Sequence, residues 1–340
     1  MLTLASEAEL SALLREASAR AMPIGIVGGG SHAGYGRPMQ VADTLSTIGM
    51  SGITLYEPSE LVLSAKAGTP LAEVEAALAK NHQRLAFEPM DQRGLYGSTG
   101  TPTIGSVAAA NLSGPRRIQA GAARDSLIGV RAVTGSGETV RSGGRVMKNV
   151  TGYDLVKFLA GSFGTLAVLT EVTFKVLPSP ETEATLTLSG LSDERGVAAM
   201  SAAFGSPFSV TGAAHIPATD SEPGRTCLRL EGFADSVADR ARRLGRALAD
   251  FGTPLVLDAE TSRAVWKAIL DLDVLAAPLS APVWRVSVKP TGGPKVAAAA
   301  RAAFPASVLY DWGGGLVWIA GGDGPDFQGR APPPFVAFKF

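Results

Sequence analysis

The distribution of glycine constrains this chain more than any other feature of its sequence. The stretch from Gly94 to Gly164 holds 14 glycines in 71 residues, and a shorter stretch from Gly25 to Gly36 holds six in 12. Together they contain 20 of the 40 glycines in the 340 residues. Glycine loses more conformational entropy on folding than any other residue, so this density requires left-handed backbone or close approach to a bound group. We interpret the two stretches as wrapping one extended, phosphate-bearing cofactor.

The overall composition excludes several other kinds of protein. Hydrophobic residues make up 46% of the chain and charged residues 18%, which is typical of a well-buried core, and the length allows two domains. The 31 basic residues equal the 31 acidic ones, and nucleic-acid binding needs a basic surplus, so we expect no nucleic-acid partner. Cys227 alone cannot form an internal disulfide or a cysteine-ligated metal site, and three separated histidines predict no metal centre.

No targeting or membrane segment is predicted. The first 20 residues carry Glu7, Glu9 and Glu16 and lack the apolar core of a signal peptide. No run of 18 uncharged apolar residues occurs, which predicts no transmembrane segment. We therefore expect a cytoplasmic protein, with membrane association through partner subunits as the alternative.

The loop after the first predicted strand, from Gly28 to Gly36, admits two interpretations. Gly28, Gly30 and Ala33 match the dinucleotide-binding fingerprint, but that motif requires a helix next, and the two glycines and Pro38 that follow argue against one. A glycine loop whose amide hydrogens form an anion nest for a diphosphate is favoured. A plain turn between strands remains the alternative.

A second candidate phosphate site lies near the start of the long glycine-rich stretch. Thr103, Ile104, Gly105 and Ser106 precede a run of very small residues that predicts one or two helical turns. Free amides at a helix start suit a pyrophosphate, and the hydroxyl of Ser106 would add a donor.

The segment from Arg116 to Lys148 is basic, with seven basic residues against two acidic ones. It contains no Phe, Tyr or Trp on which nucleic-acid bases could stack. We interpret most of these arginines as a solvated face or a surface for a protein partner.

The predicted elements alternate in a way that indicates an α+β protein. In the first half, strands at 53–56, 61–67 and 164–176 accompany helices at 6–19 and after Pro70. In the second half, strands are predicted at 184–188, 209–213, 226–231, 283–289, 307–310 and 316–320, with clear helices at 235–250 and 295–303. This pattern favours an antiparallel sheet with helices packed on one side.

Four segments carry a resemblance to a known family. The stretch from Gly94 to Val176 resembles the flavoproteins named for vanillyl-alcohol oxidase and para-cresol methylhydroxylase (PCMH). More narrowly, Lys148 to Leu155 and Gly161 to Leu166 within it resemble the E subunits of bacterial glycolate oxidase (glycolate dehydrogenase). Trp284 to Val288 and Asp311 to Gly314 add to this narrower resemblance, which covers roughly residues 1–322.

The resemblance implies a fold and its domain boundaries. A PCMH-type FAD-binding domain of two α+β subdomains is expected over residues 1–178, and a proline-rich break follows it. A cap domain with an antiparallel sheet covered by helices is expected over 179–322. Residues 323–340 depart from the usual ending of the family, so we expect an irregular tail from a truncated or frameshifted product.

The resemblance also implies non-covalent FAD. The Gly28–Ser31 loop and the Thr103–Ser106 turn would hold the diphosphate, while Gly143–Lys148 and Gly161–Leu166 would approach the flavin and adenosine portions. The implied cofactor-binding residues are Gly28, Gly29, Gly30, Ser31, Thr103, Ile104, Gly105, Ser106, Asn111, Gly114, Gly144, Lys148, Asn149, Tyr153, Gly161, Ser162, Gly164, Thr165 and Leu166. His32 does not directly follow paired glycines, so we expect a surface loop residue rather than a covalent flavin attachment.

The implied activity is oxidation of glycolate, a small 2-hydroxy acid, to glyoxylate in glycolate catabolism. Electrons would pass through the flavin to a second FAD subunit and an iron–sulfur subunit. A carboxylate substrate needs a cationic clamp, and Arg285 is the candidate, with a structural salt bridge as the alternative. No catalytic residue is assigned, because no histidine base emerges. A non-catalytic flavin-binding assembly or electron-relay subunit, and a stand-alone FAD-dependent alcohol oxidase, remain alternatives.

Overall fold

The computed structural model describes residues 1–32, 39–144, 153–275, 281–321 and 336–339. The internal contacts divide the chain into two compact units. The first contains Met1–Gly114 and Gly121–Ser179, and the second contains Pro115–Ala120 and Pro180–Phe340. The short segment 115–120 therefore belongs to the second unit although its sequence neighbours belong to the first.

The elements follow one another along the chain with the following bounds. The helices are α1 (Glu7–Ala19), α2 (Leu71–Ala79), α3 (Arg93–Tyr96), α4 (Ile104–Ala110), α5 (Arg117–Ala120), α6 (Ala123–Ser126), α7 (Leu155–Leu159), α8 (Asp193–Phe204), α9 (Ala234–Ala247), α10 (Ala259–Leu270) and α11 (Gly293–Ala303). The strands of the first unit are β1 (Leu2–Thr3), β2 (Ile24–Val27), β3 (Asp43–Ser46), β4 (Ile53–Glu57), β5 (Val62–Lys66), β6 (Gln83–Arg84), β7 (Leu127–Thr134), β8 (Thr139–Gly143), β9 (Ala167–Lys175) and β10 (Leu177–Pro178). Those of the second are β11 (Thr182–Ser189), β12 (Gly212–Ile216), β13 (Arg225–Gly232), β14 (Leu255–Leu257), β15 (Val283–Ser287), β16 (Ser307–Asp311), β17 (Leu316–Ala320) and β18 (Val336–Lys339). Short 3₁₀ turns lie at Pro58–Glu60, Ala249–Phe251, Pro290–Gly292 and Trp312–Gly314.

Two sheets organise the first unit. A three-stranded parallel sheet has the order β1-β3-β2, and a five-stranded antiparallel sheet has the order β4-β5-β9-β7-β8. Side chains alternate along the larger sheet: Leu63 and Phe174 enter the core, whereas Ser64 and Thr173 lie on the opposite face and share a 2.8 Å hydrogen bond. The α+β class predicted from the sequence is confirmed.

Helix α1 begins where the sequence predicts. The side chain of Ser6 accepts a hydrogen bond from the backbone N–H of Glu9 at 3.2 Å, which satisfies one free donor of the first turn. Leu10 and Leu14 then face the parallel sheet and pack in one cluster with Leu45. The amphipathic period of the helix thus fixes its position on this sheet.

The second unit is built on one sheet of order β14-β11-β13-β12-β16-β17-β15-β18, whose neighbouring strands are antiparallel. One face is apolar and packs with residues of α8, α9 and α11. The other face carries Thr185, Arg229, Glu231 and Arg285, because these residues alternate with the core residues of their strands.

Helix α10 corrects the expectation that helices cover only one side of this sheet. The indole N–H of Trp266 in α10 donates to Thr185 Oγ1 at 2.8 Å, and Thr185 lies on the polar face. Helix α10 was not predicted from the sequence, although its period is amphipathic. Its buried face includes the polar residue Ser262 beside Trp266, and this weakens the apolar pattern. Helix α8 was also missed.

Two further elements differ from expectation. The strand predicted at 209–213 begins instead at Gly212, because Ser209 has a φ of 51°, a left-handed conformation that breaks an extended strand. The tail expected to be irregular contributes β18, which pairs antiparallel with β15. Strand β15 is therefore an inner strand of the sheet rather than its edge.

Candidate cofactor site

A cavity of about 250 Å³ lies in the first unit beside the end of β2. One wall is the main chain of Gly28–Gly30, and another is the small-residue face of α4 with Ala109 and Ala110. Phe163 and Leu169 add apolar surface. The two glycine-rich stretches of the sequence therefore meet at one cavity, as predicted.

The glycine loop is anchored by its carbonyl groups. Ser46 Oγ donates to the carbonyl of Gly28 at 2.8 Å, the N–H of Thr101 donates to that of Gly29 at 2.8 Å, and Ser98 Oγ donates to that of Gly30 at 3.0 Å. These bonds come from three separate segments. They hold the loop in one conformation against the cavity.

Only glycine fits the anchored positions. A Cβ at Gly28 would lie 2.5 Å from Thr103 Oγ1, and one at Gly29 would lie 2.1 Å from the carbonyl oxygen of Thr101. Gly30 differs, because it has a φ of +80° and an added Cβ would meet nothing within 4 Å. Gly30 thus presents bare main chain to open space, which is what close approach of a dinucleotide requires. These residues fit FAD.

The start of α4 corrects one sequence expectation. The amides that we assigned to a pyrophosphate are used within the protein. The three bonds run from Ile104 N to Thr69 O (3.0 Å), from Gly105 N to Ala67 O (2.8 Å) and from Ser106 N to Thr103 Oγ1 (3.4 Å). The Ser106 hydroxyl also donates to the carbonyl of Thr103 at 2.7 Å. This turn therefore supplies a wall of the cavity rather than a set of free donors.

The structure gathers seven predicted cofactor residues around this cavity. They are Gly28, Gly29, Gly30, Ser31, Gly105, Ser106 and Gly164. Thr165 and Leu166 line a neighbouring cavity of about 250 Å³, which shares Ile26, Gly164 and Val168 with the first.

Other predicted residues act around α4 rather than in the cavity. Ile104 is fully buried in the core, and Thr103 is the N-terminal cap of the helix. Asn111 ends the helix with a left-handed φ of 51°, and its Oδ1 accepts a hydrogen bond from the N–H of Arg124 at 2.9 Å. Gly161, with a φ of +80°, donates its N–H to the carbonyl of Ala108 at 3.1 Å. These residues position the wall that the cofactor would contact.

The remaining predicted residues are dispersed. The N–H of Gly114 donates to the carbonyl of Phe87, and Gly144 lines a small polar cavity of about 90 Å³ on the five-stranded sheet. Ser162 Oγ is buried and lacks a hydrogen-bond partner in the described part of the chain. Tyr153 is 93% exposed. Lys148 and Asn149 lie outside the described residues.

His32 lines the cavity, and sequence reasoning missed it by treating it as a surface residue. Its Nδ1 lies 2.8 Å from Ser31 Oγ. Its Nε2 is shielded from solvent and has no hydrogen-bond partner among the described residues. Burial lowers the pKa of His32, and the carboxylate of Asp91 opposes that shift only in part. Its position directly after the glycine loop was the sequence feature that could have identified His32 as a residue of the cavity.

We expect His32 to make folding stability depend on pH. Because the pKa of His32 is lowered in the folded state, its contribution is present above the unfolded value of about 6.5 and is lost as the pH falls below it. His32→Phe keeps a ring but cannot bind a proton. Urea denaturation between about pH 7 and 5 should therefore show a shallower loss of stability for this variant than for the wild type. If the free energy of unfolding changed with pH by the same amount in both proteins, His32 would not be the cause of the pH dependence.

Arg285, the predicted carboxylate clamp, lies on the polar face of the second unit. Its neighbours Trp284 and Val286 enter the apolar core, as strand alternation predicts. The guanidinium carbon lies 5.0 Å from the ring centroid of Trp312 and 5.8 Å from that of Trp318. Both distances are typical of cation–π contacts.

Metal and membrane features are not found in the described part of the chain. Within the described ranges, no group of three or more His, Cys, Asp or Glu side chains is placed to hold a metal ion. No helix among the same residues has the length and apolar character needed to cross a membrane.

Comparisons with solved structures show the fold. Alkyldihydroxyacetonephosphate synthase matches with a TM-score of 0.71 at 17% identity, over 97% of this chain and 69% of that chain. A p-cresol methylhydroxylase structure matches with a TM-score of 0.71 at 14% identity, over 97% of this chain and 76% of that one. The predicted PCMH-type fold is therefore confirmed.

Comparisons of sequence show the family. Residues 1–143 match the family described as "FAD binding domain". The glycolate oxidase subunit GlcE of Escherichia coli is 34% identical over 297 residues, covering 87% of this chain and 75% of the relative. The glycolate oxidase subunit GlcD of Bacillus subtilis is 43% identical over 84 residues, covering 25% of this chain and 18% of the relative. The chain is thus an FAD-dependent oxidoreductase subunit and belongs to the family of the glycolate oxidase subunit GlcE.

Proposed function

We propose that this chain binds FAD non-covalently in the cavity beside Gly28–Gly30 and serves in a complex that oxidises glycolate to glyoxylate. The observation that carries the proposal is the anchored glycine loop, which lines the cavity and has open space beside Gly30, in a member of the GlcE family. FAD supplies the hydride and electron chemistry when it is bound.

The residues of the chain would hold and shield the cofactor. Gly30 admits a diphosphate against the main chain, because no side chain occupies that space. Ala109 and Ala110 leave room above α4, and the apolar surface of Phe163 excludes water from a bound ring. His32 remains neutral at physiological pH, so its unpartnered Nε2 is available for a hydrogen bond to the cofactor.

Arg285 would hold the carboxylate of the substrate. Arg285 lies on the same face of the sheet as the buried charged residues Arg229 and Glu231. Buried sheet faces are usually apolar, so buried charged side chains on this face are unusual. Two tryptophan rings lie against its guanidinium group, and this contact orders the side chain.

The proposed partners are a second FAD subunit and an iron–sulfur subunit. The match to a protein named glycolate oxidase subunit GlcD, beside the match to GlcE, supports an assembly of several subunits. The cytoplasmic location and the domain bounds predicted from the sequence stay proposals. The same holds for membrane association through the partners.

The experiment is to add glycolate to the FAD-loaded chain, alone and with its partner subunits, and to record the visible flavin band. With the partners and an artificial electron acceptor, we expect bleaching of the flavin and formation of glyoxylate. Bleaching in the chain alone would exclude a non-catalytic relay subunit, and turnover with oxygen alone would favour a stand-alone alcohol oxidase. A complex that keeps its FAD but produces no glyoxylate would contradict the proposal.

A further inference from the structure

We propose that His32 donates a hydrogen bond from its Nε2–H to the diphosphate of FAD, and that cofactor binding is thereby coupled to proton uptake by the ring. This role rests on the proposed function and adds to it a contact group and a dependence of affinity on pH. His32 lines the cavity two residues after Gly30, where an added Cβ would meet nothing within 4 Å.

The contact between Ser31 and His32 assigns the tautomer of the neutral ring. Ser31 Oγ lies 2.8 Å from His32 Nδ1, and Ser31 is 2% exposed. If the hydroxyl donates to Nδ1, then Nε2 carries the ring hydrogen, and one buried donor is left unsatisfied. If Nδ1 donates instead, both the hydroxyl proton and the lone pair of Nε2 lack partners among the described residues. Buried polar groups are rarely left unsatisfied, so the first arrangement is favoured.

The Nε2–H of His32 is then a donor that the protein itself does not satisfy. Nε2 is shielded from solvent and has no hydrogen-bond partner within the part of the chain that the structure describes. An unsatisfied buried donor is unfavourable, and a ligand that supplies an acceptor oxygen removes this cost. The oxygens of a diphosphate are charged acceptors, which form stronger hydrogen bonds than neutral ones.

The position of His32 favours the diphosphate over the flavin ring as the acceptor. The preceding glycine, Gly30, leaves room for a phosphate group against its main chain. This main chain is fixed, because Ser98 Oγ donates to the carbonyl of Gly30 at 3.0 Å and a Cβ at Gly100 would lie 2.5 Å from Ser31 N. A phosphate held by the loop would therefore meet a donor whose backbone is already ordered.

The charged groups around His32 set the direction of its titration. Burial lowers the pKa of His32, and the carboxylate of Asp91 raises it in part. Arg93 pairs with Asp91, with Nη2 2.6 Å from Oδ2, and the ring of Tyr96 lies 6.4 Å from that of His32. A bound diphosphate adds negative charge beside the ring, so the pKa of His32 should be higher in the complex than in the apoprotein.

This difference in pKa couples FAD binding to pH. Because the complex holds the added proton more tightly than the apoprotein, FAD affinity should rise as the pH falls below neutrality. The proton comes from solvent and occupies Nδ1 of His32, and the hydroxyl of Ser31 turns from donor to acceptor. The hydrogen bond from Nε2 to the diphosphate is kept and becomes one between opposite charges.

Calorimetric titration of the apoprotein separates the two halves of the cofactor. The probes are FAD, ADP, which has a diphosphate but no flavin, and riboflavin, which has the flavin but no diphosphate. The FAD titrations are repeated about one pH unit below neutrality in two buffers of different ionisation enthalpy, so that proton uptake is measured directly. The phosphates of FAD are diesters and do not titrate in this range.

Two variants distinguish the donor from the titrating ring. His32→Phe keeps a ring without a donor, and His32→Gln keeps an N–H donor that cannot take up a proton. His82→Gln is the matched control, because His82 is exposed and lies outside the residues that line the cavity. Thermal unfolding establishes that each variant is folded under the conditions of titration.

His32→Phe should bind FAD and ADP at least about tenfold more weakly than the wild type, because a hydrogen bond to a charged group is lost. His32→Gln should recover most of this affinity at neutral pH. Wild-type affinity for FAD should rise by up to about tenfold per pH unit as the pH falls, the slope for uptake of one proton, and that of His32→Gln should rise less. Riboflavin binding should be the same in every variant, and His82→Gln should match the wild type.

Unchanged binding of FAD and ADP by His32→Phe would overturn the role of His32 and leave the proposed function intact. Weaker riboflavin binding with unchanged ADP binding would place the hydrogen bond on the flavin and overturn the assignment to the diphosphate. Equal proton uptake by the wild type and His32→Gln would overturn the coupling to pH. A folded wild-type chain that binds neither FAD nor ADP would overturn the proposed function together with this role.

Discussion

Arg116→Met is expected to lower the free energy of unfolding by about 3 kcal/mol, the lower end of the range for breaking a buried ion pair. Arg116 and Glu231 are 4% and 8% exposed and are paired in the second unit. Removing the arginine leaves the buried carboxylate of Glu231 without this ion-pair partner. Arg229 Nε, 3.7 Å from Glu231 Oε2, compensates only part of the charge, and Arg229 is also stacked on Trp266 at 4.6 Å.

The control for this prediction is an exposed pair. Arg124 lies 3.9 Å from Asp125 with half of its side chain in solvent, so Arg124→Met should cost less than about 1 kcal/mol. A second variant, Arg116→Met with Glu231→Met, should recover part of the loss because no carboxylate is then left unpaired. Urea denaturation of the three variants provides the measurement. A cost for Arg116→Met as small as that for Arg124→Met would contradict a buried ionic network.

Gly105→Ala is expected to destabilise the chain by about 1–3 kcal/mol, as overpacking of a core does. A Cβ at Gly105 would lie 2.6 Å from both the Cβ and the carbonyl oxygen of Ala67, so α4 would have to move away from Ala67, the residue that follows β5. The sequence placed the diphosphate at the Thr103–Ser106 turn, so obstruction of the cofactor is the cause that the sequence alone would predict. The structure gives a different cause, which is contact with the protein's own backbone.

Gly94→Ala is the matched control, because Gly94 lies in helix α3 and an added Cβ would meet nothing within 4 Å. Alanine is favoured over glycine in a helix, so this variant should be unchanged or slightly more stable. Thermal unfolding without added FAD distinguishes the two causes. If Gly105→Ala unfolds like the wild type and loses only its affinity for FAD, the cofactor-path explanation is correct and the packing explanation is wrong.

Much of the fold could be predicted because local signals agreed with tertiary structure. Ser6 and Glu9 marked the start of α1, and the alternation of residues 164–176 predicted β9, which the structure bounds at Ala167–Lys175. The glycine clusters predicted a cavity, because glycine is the residue type that lets a ligand lie against the main chain, as at Gly28–Gly30. These features depend on few distant contacts.

The remainder depends on contacts that a linear pattern does not encode. The amides at the start of α4 could not be recognised as occupied, because their acceptors, such as the carbonyl of Ala67, lie well upstream in sequence. Segment 115–120 belongs to the second unit through the buried pair of Arg116, which in sequence looks like any exposed arginine. His32 resembled a surface loop residue, and its burial emerges only in three dimensions. Strand β18 could not be predicted from its proline-rich surroundings.

The most direct test of the central claim is the FAD affinity of Ala109→Leu. Ala109 lines the cavity, so leucine would occupy space that the cofactor needs, whereas Ala76→Leu on the exposed face of α2 adds the same atoms outside it. Titration of the apoprotein with FAD should show binding weakened by at least about tenfold in Ala109→Leu and unchanged in Ala76→Leu, with both variants folded. Wild-type affinity in a folded Ala109→Leu protein would contradict the placement of FAD in this cavity.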